Sequence, residues 1–241
     1  MKKLTEKINI RRFGQGGIRD FEDTVIVERP VALVLNGELV SELTCTGVDV
    51  RELVTGHIFC GGYISSPDEI HSVFMDDRAR SVIVRASDAE TVRKNRAARK
   101  RDGDGFEKPR AAFKPDYPLV IKTFARFQEM SELYKETGSA HSAALLDMDY
   151  EFRFFYEDMG RHNAVDKVIG KALMDGVDLS RCMLIVSSRM PEELMFKAYM
   201  ARIPAVFSVS APTLQSVALA RRSGITLIGM FRDGRVNIYN D

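Results

Sequence analysis

Cysteine is scarce in this chain of 241 residues: there are three, Cys45, Cys60 and Cys182, with no Cys-x-x-C pair. An odd count without paired spacing argues against a disulfide framework or a cysteine-based zinc site. Tryptophan is absent, and proline, at 8 residues, is too sparse for a low-complexity linker protein. Neither sign of charge dominates, since 35 Lys and Arg face 34 Asp and Glu. No global field therefore recruits nucleic acid or a membrane, and any basic site has to be local. Long apolar runs are missing as well. The longest uncharged stretch, Ile203 to Ala220, holds Pro204, Pro212, three serines, a Thr and a Gln, which makes a poor membrane span. The start, Met1-Lys2-Lys3, leads into Glu6, Arg11, Arg12 and Asp20 rather than an apolar h-region. The expectation is a cytoplasmic protein.

What is present is a 45% hydrophobic, 29% charged composition, that of an ordinary globular chain long enough for a real core. Two units are expected: residues 1–115 as a small α+β domain ending in a loop over about 88–116, and residues 116–241 as an α/β domain. In the first, Thr24 to Arg29 alternates, Val31 to Leu35 is apolar, and Asn36-Gly37 is the dipeptide of a two-residue hairpin leading to Glu38 to Thr46. Asp49 to Phe59 carries Val50, Leu53, Val54 and Ile58 at helical spacing, with Gly61-Gly62 as the stop. Ile70 to Met75 and Ser81 to Ala86 read as a further strand pair. Between 93 and 101 lie six basic residues with no acid, read as a solvated connector or as a phosphate- or partner-contacting arm.

The second half predicts one helix over Tyr117 to Tyr134, strands over Ala140 to Leu146 and Phe152 to Tyr156, and a helix over Gly160 to Asp175. Strand Cys182 to Val186, a helix opened by Pro191, strand Ala205 to Val209 and helix Pro212 to Arg222 follow, then strands Thr226 to Met230 and Val236 to Tyr239. This alternation favours a three-layer α/β fold with parallel strand pairs.

In open α/β sheets ligands gather at the carboxyl ends of strands. Four loops stand there: Glu157-Asp158-Met159-Gly160-Arg161-His162-Asn163, Ser187-Ser188-Arg189, Ser210-Ala211-Pro212-Thr213, and Met230-Phe231-Arg232-Asp233-Gly234-Arg235. Converging on one rim, they would bring Arg161, Arg189, Arg232 and Arg235 together with helix N-termini, a set suited to a nucleotide or a pyrophosphate. Individually each has a plainer reading: a charged hairpin turn for Met230 to Arg235, an i,i+4 pair for His162 and Asp166, a core histidine for His141. A deaminase-type zinc site is not supported, because His141 is followed by Ser142-Ala143 and no cysteine pair follows. Ser187 and Ser188 lie in no nucleophile elbow.

These segments resemble one family, the formate dehydrogenase accessory sulfur-carrier proteins, FdhD. The resemblance is carried by Thr137-Gly138 to Ala144, Glu157 through Lys167, Ser187-Ser188-Arg189, Phe207 to Thr213, Leu227 through Arg235 and, in the first half, Glu28 through Gly37. It implies a cytidine-deaminase-like α/β/α domain without the deaminase metal, joined to a smaller N-terminal domain, in a homodimer. It implies a sulfurtransferase role: sulfur taken from a cysteine desulfurase as a persulfide reaches the molybdenum or tungsten bis(molybdopterin guanine dinucleotide) cofactor before insertion into the formate dehydrogenase apoprotein. The implied binding set is Met230, Phe231, Arg232, Asp233, Gly234 and Arg235, with Met230 standing where the family has phenylalanine, beside Ser188, Arg189, Asp158, Arg161, His162 and His141. GDP-like nucleotides would act as partial mimics.

The chain departs from the pattern at the family's Gly-Cys-Gly-x-Cys loop. The corresponding stretch reads Gly103-Asp104-Gly105-Phe106-Glu107, and the acids Asp104 and Glu107 cannot carry a sulfane sulfur. Two hypotheses follow. One is a sulfur carrier that uses another thiol, with Cys60 before Gly61-Gly62 as the candidate; the other is a non-catalytic cofactor-binding or assembly module that has lost the transfer step.

Overall fold

The structure, a computed structural model, describes residues 3–78, 80–87 and 113–241. It is a mixed α/β protein with three sheets and, among the described residues, six α-helices. The chain opens with β1 (Thr5–Gly14) and β2 (Gly17–Ile26), an antiparallel hairpin that pairs with no other strand. The one strand expected here is Thr24 to Arg29; β1 carries no periodic signal, because charges interrupt its apolar residues and most of its side chains are exposed.

Next come β3 (Arg29–Leu35) and β4 (Glu38–Cys45), joined as expected by Asn36-Gly37, both at positive φ. Helix α1 (Val50–Cys60) ends at Gly61-Gly62, and β5 (Ile70–Asp76) and β6 (Ser81–Ala86) complete a four-stranded sheet in the order β4-β3-β6-β5. The basic run 93–101 and the Gly103–Glu107 stretch, with Asp104, lie outside the described residues.

The helix expected over Tyr117 to Tyr134 is two: α2 (Tyr117–Glu129) and α3 (Glu132–Thr137). The break at Met130-Ser131 lets the Ser131 hydroxyl donate to Ser142 Oγ at 2.8 Å, while both carboxylate oxygens of Glu157 accept from the backbone N–H groups of Leu133 and Tyr134 and so cap α3. Then follow β7 (His141–Asp147), β8 (Phe152–Asp158), α4 (Arg161–Met174), β9 (Cys182–Val186), α5 (Glu192–Met200), β10 (Ala205–Ser208), α6 (Leu214–Ser223), β11 (Thr226–Arg232) and β12 (Arg235–Asn240).

The large sheet runs β12-β11-β10-β9-β7-β8. Parallel pairing is confined to β9-β10-β11, and the β7-β8, β7-β9 and β11-β12 pairs are antiparallel. The expected parallel pairs are present, within a sheet that is mixed because β7 and β8 form a meander and β11 and β12 a hairpin. One face of this sheet packs on Val120, Phe124 and Phe127 of α2. The other joins α4, α5 and α6 in an apolar cluster that continues without interruption through α1 into Val31, Leu33, Leu35, Val82 and Val84 of the small sheet.

Helices α1 and α4 meet at backbone distance. A Cβ at Gly56 would overlap the carbonyl oxygen of Asp166, and one at Gly170 would overlap that of Glu52. Both positions require glycine for close approach.

Candidate functional site

Strand direction gathers the four predicted loops. Strands β8, β9, β10 and β11 point the same way, so their carboxyl ends form one rim with the start of β7: His141 pairs with Asp158, Ala143 with Val186, and Ser208 with both Val186 and Gly229. Hydroxyls stitch this edge. Ser142 N–H donates to Ser187 Oγ at 2.9 Å, and Ser187 N–H donates to Ser142 O at 3.0 Å. Ser208 Oγ reaches Ser188 O and Ser210 O, each at 2.9 Å.

The Met230–Arg235 loop sits at the same edge. The pairing skips between Gly229 and Arg232, leaving two residues opposite one, a bulge that holds Met230 at φ 58. Met230 N–H and Phe231 N–H donate to Ser210 O and Val209 O, and Phe231 stacks on Phe124 with centroids 5.1 Å apart. The bulge thus draws the end of β11 over the loop that follows β10. Arg232 donates from Nη1 to Val209 O and Phe231 O, while Asp233 and Gly234 make the turn at positive φ. Arg235 is exposed and pairs only loosely with Asp233, at 3.6 Å.

Helix α4 begins at Gly160 without a side-chain cap, leaving first-turn N–H groups for a ligand. Arg161 stands there with its Nε buried and unpartnered. Burial and then the neighbouring Arg161 guanidinium lower the pKa of His141, so the two side chains share one electrostatic environment. His162 is also lowered, by burial first and then by Lys197 and Arg161, against opposing contributions from Glu193 and Asp166. Ser188 is buried and donates to Arg189 O at 2.9 Å, whereas Arg189 is exposed.

Asp158 differs from the rest. It is fully buried, its Oδ2 lies 2.8 Å from Lys167 Nζ, and it accepts from Thr46 N–H, Thr46 Oγ1, Gly160 N–H and Asn163 Nδ2. A carboxylate so fully engaged has its oxygens committed within the protein. Its role is to tie the end of β8 to Thr46, in the first half of the chain.

A second buried cluster escaped the sequence reading. Asp166 Oδ2 is 2.5 Å from Lys197 Nζ and 3.2 Å from His57 Nδ1, joining α4 to α5 and α1. Burial alone would raise the Asp166 carboxyl, but Lys197 and His57 outweigh it and hold the pKa below the usual carboxylate value. The spacing of His162 and Asp166 was visible in the sequence. Contact with His57, more than a hundred positions away, had no local signal.

All three thiols are inside: Cys45, Cys60 and Cys182 are each 4% exposed or less. Burial, with Asp178 nearby, pushes the Cys182 thiol up to about 11, far from the thiolate form that reacts.

The chain is thus a mixed α/β protein whose large sheet carries serines and arginines along the rim formed by its strand carboxyl ends. The comparisons place it more narrowly. The FdhD/NarQ family model matches residues 26–241, and the chain belongs to that family. It is 29% identical to the sulfur carrier protein FdhD of Bacillus subtilis and 30% identical to protein FdhD of Methanocaldococcus jannaschii, in both cases over 98% of this chain and 96% of the relative. A crystal structure from Desulfotalea psychrophila assigned to a formate dehydrogenase accessory protein superposes with a TM-score of 0.83 and 25% identity, covering 99% of this chain and 98% of that one.

Proposed function

We propose that this protein is a cytoplasmic accessory factor for formate dehydrogenase, acting on the bis(molybdopterin guanine dinucleotide) cofactor, with molybdenum or tungsten, as cargo before its insertion into the apoenzyme. The observation that carries this reading is the placement of the loops bearing Arg161, Ser188, Arg189, Arg232 and Arg235 at one edge of the large sheet, beside an uncapped helix N-terminus. Guanidinium groups and free N–H groups suit the pyrophosphate of a guanine dinucleotide, and the relatives' names supply the formate dehydrogenase context. In this reading a cysteine desulfurase is the sulfur source, the protein works as a homodimer, residues 116–241 form a cytidine-deaminase-like domain and residues 1–115 a smaller one. Helices on both faces of the six-stranded sheet support that likeness. The test is complementation: the chain expressed in a host lacking its own FdhD restores formate dehydrogenase activity, and an inactive dehydrogenase despite soluble expression contradicts the assignment.

The sulfur step requires a thiolate that a desulfurase can reach. Burial of every cysteine in the chain favours a second reading within the same role, in which the protein holds the cofactor while the sulfur-bearing thiol belongs to another protein. Mass spectrometry after incubation with a desulfurase and cysteine separates the two. A persulfide on Cys60 or another cysteine supports transfer by this chain, and an unmodified protein supports holding alone.

A further inference from the structure

The β1–β2 hairpin lies almost wholly outside the segment matched by the family model, which begins at residue 26. It pairs with no other strand, and its ten-residue strands reach roughly 34 Å at about 3.4 Å per residue. A two-stranded hairpin alone in water is marginal, yet this one exposes Ile8, Phe13, Ile18 and Phe21. Its side chains sort by face. The register places Ile8, Ile10, Phe21 and Val25 on one face, and that face also carries Arg12 and Arg19 toward the tip and Glu6 and Asp23 toward the base. Arg12 lies over the Phe21 ring at 3.4 Å and reaches Asp23 only at 3.9 Å. The opposite face carries Phe13 and Ile18 beside the tip, and there the charges are already balanced: Arg11 stands across from Asp20, and Lys7 pairs with Glu22 at 2.7 Å.

An apolar stripe with two cations at one end and two anions at the other is complementary to its own copy turned end for end. We propose that the hairpin is a dimerisation arm, in which the Ile8–Ile10–Phe21–Val25 face of one protomer packs antiparallel on the same face of a second copy. Arg12 and Arg19 of each arm then meet Glu6 and Asp23 of the other. The apolar face supplies the burial, and the charge segregation fixes direction, since a parallel alignment would oppose like charges. A two-fold arrangement of this kind uses one patch twice. The inference deepens the homodimer reading given above and rests on it.

The test uses the full chain and charge reversal at each end of the arm. Sedimentation equilibrium should show a dimer for the unmodified protein. The tip variant (Arg12→Glu with Arg19→Glu) and the base variant (Glu6→Lys with Asp23→Lys) should each dissociate at least about tenfold more readily, because each makes its own arm uniformly charged. An equal mixture of the two should restore a heterodimer, and the variant carrying all four changes should restore the homodimer. Far-UV circular dichroism checks folding, and the fourfold variant keeps the test open if one pair of changes unfolds the arm. A monomeric unmodified protein overturns the homodimer reading itself. A dimer indifferent to all four changes leaves that reading standing and overturns the arm, and failure of both the mixture and the fourfold variant to restore association overturns the antiparallel pairing.

Discussion

The segment Glu157–Lys167 and the loop Met230–Arg235 were equally conspicuous as sequence motifs, yet the fold uses them in opposite ways. In the first, most side chains point inward: Glu157 caps α3, Asp158 pairs with buried Lys167, Asn163 donates to Thr44 O, and Asp166 grips His57 and Lys197. Only Arg161 and His162 remain at the rim. In the second, the charged side chains are exposed, the backbone holds a positive φ at Met230, and the arginines are tied only to carbonyls or to a weak surface pair. The first segment is mainly a joint between the two halves of the chain, with Arg161 and His162 at the rim; the second leaves its charged side chains at the surface while its backbone and Phe231 anchor the end of β11. A recognisable motif is therefore not a list of ligand contacts. Burial and saturation of hydrogen bonds separate the residues that hold the protein together from those left to hold something else.

That contrast predicts a graded series of effects. Lys167→Met should be the most damaging change, at about 3–5 kcal/mol in denaturant unfolding, because it strands the buried Asp158 carboxylate without its cation. Gly170→Ala should cost about 3 kcal/mol, since the new Cβ meets the backbone of α1 and neither helix can yield cheaply. The rim should behave in reverse: Met230→Gly relieves a left-handed backbone and should stabilise the protein by about 0.5–1 kcal/mol in the same assay. If Met230→Gly were as destabilising as Gly170→Ala, the distinction between joint and edge would fail.

Acid should act on both regions in sequence. His141 and His162 have lowered values in the fold, so the unfolded chain binds more protons and stability begins to fall as pH drops below about 6.5. The Asp166 carboxyl is held below its usual value, so its contribution is complete above about pH 4 and is lost as pH falls further through the native value. Thermal unfolding from pH 8 to 3 should show both phases, and Asp166→Asn should remove the second.

Much of this was legible beforehand. Strand Cys182–Val186 was placed to the residue, the Asn36-Gly37 hairpin was placed by its turn chemistry, and the shared edge of the four loops followed from reading their strands as parallel neighbours. What escaped has physical reasons. The break at Ser131 has no mark in the 3.6-residue pattern, which runs on to Tyr134 although Tyr134 is exposed and α3 buries Leu133 instead; at the break the Ser131 hydroxyl meets β7. The inward turn of Asp158 depends on Thr46, and the place of His57 depends on two glycines that let α1 and α4 touch. Such long-range contacts leave no periodicity to read.

Titration calorimetry of GDP into the unmodified protein and into the Arg232→Ala, Arg235→Ala variant tests the central claim most directly. If the rim is the guanine-dinucleotide site, GDP binds and the variant weakens binding by more than about tenfold, on the order of 1.4 kcal/mol, without a change in thermal stability. Equal affinity in both proteins, or no binding to the unmodified one, would contradict it.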